Sequence, residues 1–441
     1  MKLPNASRRN RLLFVQSRRW QRRLIFVAGG LTVGAVAVAL ALAADFVQLQ
    51  FRHFLAFSPY GALAATPAGF ALAIYLTKRF FPNSEGSGIP QAIAARKLTD
   101  QGERAKLVSM RIAIGKIFLT LLGLLVGAST GREGPTVQVG ASIMSAAGRF
   151  SARRQPGLIL AGAAAGVAAA FNTPLAGIVF GIEEMSRSFE VRASGLTLGA
   201  IIAAGLTSLA FFGNYTYFGT TPEIMAHWGD WVAVPVIGVI GGLLGGLFSR
   251  ILILFGGGLH GKAGRLVKAH PVAFAGICGL VVALCGLVSG GAVYGTGYDQ
   301  AKAALHGSAT LSAFYAPLKM LATTVSSISG IPGGIFAPSL SVGAGIGADL
   351  VRLFPSTPIG VLVLLGMVSY FTGVVQAPIT GFVIVSEMTD NHGLVVPLML
   401  AALIAQAASK LVCKEGVYHA LAKNFLPAPK QKELPIPPPS A

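Results

Sequence analysis

Arg132 and Glu133 stand side by side in GREGPTVQVG, residues 131–140, fenced by Gly131 and Gly134 and flanked by apolar chain. A charge at the centre of a bilayer costs roughly 2.5–3.5 kcal/mol, so a glutamate between two membrane stretches is a candidate for ion or proton handling. A second acidic pair, Glu183 and Glu184 in GIEEMSR, closes an uncharged interval over 155–182. Arg187 and Arg192 follow it and assign that end to the cytosol. Three segments share the form G-x-x-x-P: GSGIP at 86–90, GREGP at 131–135 and GIFAP at 334–338. Glycine lets the backbone turn tightly, and proline suits the first helical position, where no amide partner is needed. Each segment therefore predicts a loop feeding a helix N-terminus, whose free amides and partial positive charge attract anions. Three such ends converging would build an anion site with neither lysine nor metal, and dipoles hold an anion weakly enough to release it.

The elements that must position these loops are membrane helices. The chain is 53% hydrophobic and 12% charged, with a mean hydropathy of +0.67. Uncharged intervals recur at 24–44, 155–182, 193–222, 231–249, 269–298 and 353–386. One crossing takes ~20 apolar residues, so several of these cross once and the longest has room for two helices. The interval 117–131, only 15 residues, suits a helix that stops inside the bilayer. The fold class is an all-α polytopic membrane protein. Its net charge of +19 sits at the ends of apolar runs rather than on a nucleic-acid-binding surface. Residues 1–23 hold eight Lys/Arg and no acid, a cytosolic N-terminus by the positive-inside rule. The 21 residues from Leu24 to Ala44 exceed a signal-peptide core, which favours an uncleaved first helix. Cys278 and Cys285 fall on one helical face as small core residues, and with Cys413 they form no metal or disulfide spacing.

The chain also repeats itself. GREGPTVQVGA at 131–141 aligns with GIFAPSLSVGA at 334–344, an offset of 203. AFNTPLAGIVFGIEEM at 170–185 resembles VVQAPITGFVIVSEM at 374–388, and GSGIPQA at 86–92 echoes GTGYDQA at 295–301. The order and near-constant offset predict a basic segment over 1–23, halves over 24–215 and 231–424 joined by a 216–230 linker, and a Pro-rich flexible cytosolic tail over 425–441. Broken helices meeting at a repeat interface suit a transporter, and a channel equally.

GSGIP, GREGP and GIFAP, in this order and spacing, resemble the signature of the CLC family of chloride channels and chloride/proton antiporters, over about residues 24–424. The resemblance implies two inverted structural repeats of tilted and broken helices, and a homodimer in a cell (inner) membrane with one anion pathway per subunit. It also implies that the Ser87 hydroxyl, the backbone amides of Ile335 and Phe336, and the Tyr418 phenol in KEGVYHAL surround a central anion. Glu133 is then the external gate and proton acceptor, a tethered carboxylate that competes with chloride until protonated. Glu184 is the internal proton-transfer group, with Glu183 flanking it. Arg132, Gly86, Gly88, Pro90, Gly131, Gly134, Pro135, Gly334 and Pro338 support the loops.

Some residues read as structural. Asp45 and Asp349 border apolar runs and are expected at helix ends, Glu387 as a remnant of the duplication, and Lys116 as a buried structural cation. Some relatives carry acids just after GSGIP where this chain has Gln91 and Ile93, which leaves the partner of Lys116 open. The function expected is glutamate-gated chloride/proton antiport without a cofactor, with chloride, protons and the lipid bilayer as partners. The alternative is a passive voltage- or pH-gated chloride channel of the same fold, against which Glu184 argues. An enzyme is disfavoured: the seven histidines form no HExxH and no close pair.

Overall fold

A computed structural model describes residues 6–148, 154–186, 195–213, 216–259, 261–307 and 311–427. Arg187, Arg192 and the Pro-rich tail from 428 onward lie outside the described residues. The described part is helical, in two matching series. The first runs α1 (Ala6–Phe57), α2 (Ala62–Phe80), α3 (Ile89–Lys97), α4 (Gln101–Ala105), α5 (Met110–Leu125), α6 (Glu133–Ala147), α7 (Gln155–Phe171), α8 (Pro174–Phe180) and α9 (Gly195–Phe212). The second runs α10 (Ala233–Gly256), α11 (Gly261–Ala269), α12 (Pro271–Val288), α13 (Tyr298–Leu305), α14 (Tyr315–Ile328), α15 (Phe336–Asp349), α16 (Ile359–Val375), α17 (Pro378–Thr389) and α18 (Val395–Val412), before a short α19 (Val417–Ala422).

Among the described residues, six helices are long and apolar enough to cross a membrane, and four apolar helices are shorter. The apolar stretch of α1, Arg23–Phe57, has 35 residues. At 1.5 Å per residue it is about 50 Å long, more than the ~30 Å hydrocarbon core, so it leans or projects. The helix extends back to Ala6, through the basic segment expected to precede it.

The two series pack alike. α1 lies on α7 and α9 as α10 lies on α16 and α18, and α6 pairs with α7 as α15 pairs with α16. Those last two pairs approach backbone to backbone. A side chain on Gly140 would collide with the Gly162 carbonyl, and one on Gly343 with that of Gly366. α7 and α16 both end on a left-handed residue, Asn172 (φ 55°) and Gln376 (φ 60°), before Pro174 and Pro378 restart the helix.

Elements that contact their own counterparts mark the axis relating the halves. α2 packs on α12, α8 on α17 and α6 on α15. Gly131 and Gly334 exchange both backbone hydrogen bonds, N to O at 2.7 Å each way, as an isolated antiparallel bridge. A reciprocal antiparallel pair is what a local two-fold axis produces. The repeats are inverted, and the axis passes between the second and third G-x-x-x-P loops.

Candidate functional site

Backbone contacts join all three loops. Gly131 is bonded to Gly334, and the Gly333 amide donates to the Gly86 carbonyl at 3.0 Å. Gly134, at the start of α6, sits where an added Cβ would lie 2.9 Å from Ser87 O and Oγ and 3.1 Å from Gly334 Cα. Gly134→Ala should therefore push the first and third loops apart. Overpacking of this kind costs about 1–3 kcal/mol. A lowered melting temperature in detergent together with weaker chloride binding by calorimetry is the expected result.

The prolines lie slightly deeper than expected. Pro90 is the second residue of α3, and Pro135 and Pro338 are third in α6 and α15. The cause is that Gly88, Arg132 and Ile335 cap the helices, so helical geometry begins before the proline. The first four amides of a helix have no intrahelical acceptor, so proline is equally at home there.

Ser87, Ile335, Phe336 and Tyr418 come together. Ile335 caps α15, and Phe336, its first residue, is fully buried. The Phe336 ring packs edge-on against Phe371 (4.9 Å between centroids) and Phe180 (6.0 Å), parallel to Phe171 (6.1 Å), and tilted against Tyr418 (5.8 Å). This aromatic wall fixes α15 and α19 together. The Tyr418 phenol is buried and faces the Ser87 hydroxyl without closing a hydrogen bond of good geometry. Ser87 Oγ accepts from the Ile89 amide at 3.3 Å. Two neutral hydroxyls and the amides of two helix starts therefore line one spot, an arrangement able to solvate a small anion.

Glu133 is the first residue of α6 and is completely buried. Its carboxylate lies beside the backbone amides of Ala337, Glu133 and Arg132, and neither oxygen closes a hydrogen bond of good geometry. It therefore occupies the convergence of two helix N-termini, where partial positive charge favours an anion. A side chain on Gly131 would strike its Oε2, which explains the glycine two residues before it. Arg132 points away from the loops. Its Nη1 donates to the Ala41 carbonyl and to Asp45, each at 2.6 Å, tying the cap of α6 to α1. Asp45 is thus inside α1, not at a helix end as expected. Its apolar neighbours gave no sign of the arginine it meets, 87 residues away in sequence. Asp349 does end α15.

Glu183 and Glu184 lie in a π-helical turn, Gly181–Ser186, that continues α8. The two diverge in role. Glu183 accepts from the amides of Ile379 (3.1 Å) and Thr380 (2.6 Å) and from the Thr380 hydroxyl, capping α17. Glu387 returns the contact, accepting from Leu175 and Ala176 at the start of α8 (3.1 and 2.8 Å). Glu387 is no mere remnant: the two acids cap each other's helices across the axis, as negative charge at an N-terminus should. Glu184 instead turns inward, 2% exposed, with His419 Nε2 at 3.5 Å from its Oε1. Tyr418 stands within electrostatic range of both Glu184 and Glu133.

Lys116 is fully buried, and its hydrogen-bond partners are backbone carbonyls: Ser84 (2.8 Å), Gly86 (2.6 Å) and Glu85 (3.4 Å). It clamps the loop that presents Ser87. Lys319, 203 residues later, does the same for the matching loop, donating to Val293 and Gly295 (2.8 Å each) and to Ser129 Oγ (3.0 Å). The sequence reading missed Lys319, although the repeat offset that aligned the loops also aligns the two lysines. It missed His419 as well, which carries no motif of its own.

These features define a polytopic helical membrane protein of two inverted repeats, with helix N-termini converging on a buried carboxylate and a second carboxylate beyond a tyrosine. Residues 69–410 match the family model described as voltage gated chloride channel. The chain is 31% identical over 440 residues to the H(+)/Cl(-) exchange transporter ClcA of Yersinia pseudotuberculosis serotype IB (strain PB1/+), covering 92% of this chain and 88% of that one. Its fold is similar, with a TM-score of 0.79 and 26% identity, to the crystal structure of a slow cyanobacterial Cl-/H+ antiporter, over 91% of this chain and 97% of the other. A CLC-type fluoride/proton antiporter shares the fold at a TM-score of 0.77 and 23% identity, again over 91% and 97% of the two chains. The chain belongs to the CLC family.

Proposed function

We propose that this protein exchanges chloride for protons across a membrane, with Glu133 as the gate and outer proton site and Glu184 as the inner one. The observation that supports the reading is that the buried Tyr418 phenol faces Ser87 and stands within electrostatic range of both buried carboxylates, Glu133 and Glu184. Chloride is held by the Ser87 and Tyr418 hydroxyls and the Ile335 and Phe336 amides. All are neutral donors, so binding stays weak enough for release. The Glu133 carboxylate sits among the same kind of donors and competes with chloride for them. Protonation removes its charge, the helix termini lose their hold on it, and the path opens. A proton taken up at Glu133 and delivered by way of Glu184 then moves opposite to chloride. No cofactor and no covalent step enter this cycle.

The basic residues of 1–23 support cytosolic termini in an inner membrane. Family resemblance supports a homodimer with one pathway per subunit. In liposomes containing the purified protein, an imposed chloride gradient should drive protons uphill, recorded with a proton electrode. Chloride flux with no accompanying proton movement would decide for a passive channel instead.

A further inference from the structure

Glu184 is buried, yet a proton that reaches it must come from water. A cavity of about 370 Å³ opens beside it, lined by Arg96, Lys97, Met185, Ser186, Glu415, His419 and Lys423. Among the described residues Glu184 is not in that wall, whereas His419 both lines the cavity and contacts Glu184. Its ring borders the cavity while Nε2 lies 2.7 Å from the Glu184 carbonyl oxygen and 3.5 Å from the carboxylate Oε1. The side chains of His419 and Glu184 are 10% and 2% exposed. α19 makes this placement possible, since consecutive residues point about 100° apart on a helix. Tyr418 thus faces Ser87 while His419 faces the π-turn.

We infer that His419 is the proton relay between this basic vestibule and Glu184, a role that rests on the antiport reading above. Imidazole is suited to it, because it titrates near pH 6.5 and has two ring nitrogens that exchange protons independently. One ring nitrogen takes a proton from vestibule water, giving imidazolium. Nε2 then turns its proton from the backbone carbonyl to the Glu184 carboxylate Oε1, leaving a neutral carboxylic acid and a neutral ring protonated at Nδ1. The ring resets by exchange with vestibule water, and the reverse sequence carries protons outward. Among the described residues, charged groups reach the ring's surroundings from several elements. Arg96 of α3 donates to the Met185 carbonyl, Lys97 follows it, and Lys423 pairs with Glu415 at 2.6 Å. Arg250 of α10 lies within electrostatic range of Cys413, Tyr418 adjoins in sequence, and Glu183 is engaged by α17.

A purely structural role, tying α19 to the turn through the Glu184 carbonyl, makes different predictions. His419→Gln keeps an amide donor for that carbonyl but cannot relay. Its proton-to-chloride flux ratio in liposomes should fall at least about tenfold, short of a positioned proton-transfer group's full contribution because other steps share the rate. His419→Ala should lose coupling too, and imidazole added on the vestibule side should restore it with a pH profile that follows the added buffer. Coupling at the wild-type ratio in His419→Gln overturns the relay, and so does a loss in both variants that imidazole does not repair. Wild-type protein that moves no protons would sink the antiport reading itself, which separates the two failures.

Discussion

Glu133→Gln should abolish proton transport while chloride continues to flow, and chloride flux should no longer depend on pH. The argument is electrostatic. The carboxylate lies beside the amides of Ala337, Glu133 and Arg132, at the joint N-terminus of α6 and α15. Ionised, it satisfies the partial positive charge that would otherwise attract chloride, and its tether gives it a high effective concentration. Glutamine keeps the size and discards the charge, so it mimics the protonated gate at every pH. In the wild-type protein, chloride flux should rise as pH falls, because in the proposed cycle protonation opens the path. Over the range where Glu133 is mostly ionised, the open fraction changes by about tenfold per pH unit, a unit being worth about 1.4 kcal/mol. The variant should show a flat profile at the level the wild type reaches in acid. Measuring chloride efflux from liposomes across pH, with protons recorded in parallel, tests both parts. Retained coupling in Glu133→Gln would remove Glu133 from the proton path.

The loops were legible in the sequence because their chemistry is local. Glycine and proline at fixed spacing announce a turn and a helix start, and both are found at 86–90, 131–135 and 334–338. The repeat was legible because duplication left similar segments in the same order at a nearly constant offset. What the loops meet was harder to read. Lys116 is satisfied by the carbonyls of Ser84, Glu85 and Gly86, and backbone acceptors leave no signature in residue type. Asp45 is found by Arg132 only after α1 and α6 pack side by side. Glu183 and Glu387 look like a functional acid and a leftover until the two-fold axis brings each to the other's helix start. In each case the missing information is which surfaces face one another, and periodicity along one helix does not contain it.

The second glutamate should separate proton movement from chloride movement in a different way. Glu184→Gln removes the carboxylate proposed as the inner proton site, so coupled proton flux should fall at least about tenfold, as expected for loss of a proton-transfer group. Glu133 remains titratable in this variant. Chloride flux should therefore keep its rise toward low pH, the feature that Glu133→Gln loses. The contrast follows from where each group lies. On the proposed mechanism Glu133 competes with the anion for the same donors, whereas Glu184 sits in the π-turn against His419, on the far side of α8 from its start. Glu184 can thus starve the gate of protons without changing what the gate does to chloride. The measurement is again paired proton and chloride flux, now with pH varied separately on the two faces of the membrane. Acid on the Glu133 face should still accelerate chloride in Glu184→Gln. If chloride flux became independent of pH on that face, the two carboxylates would be titrating as one unit, and the division of labour between gate and relay would be wrong.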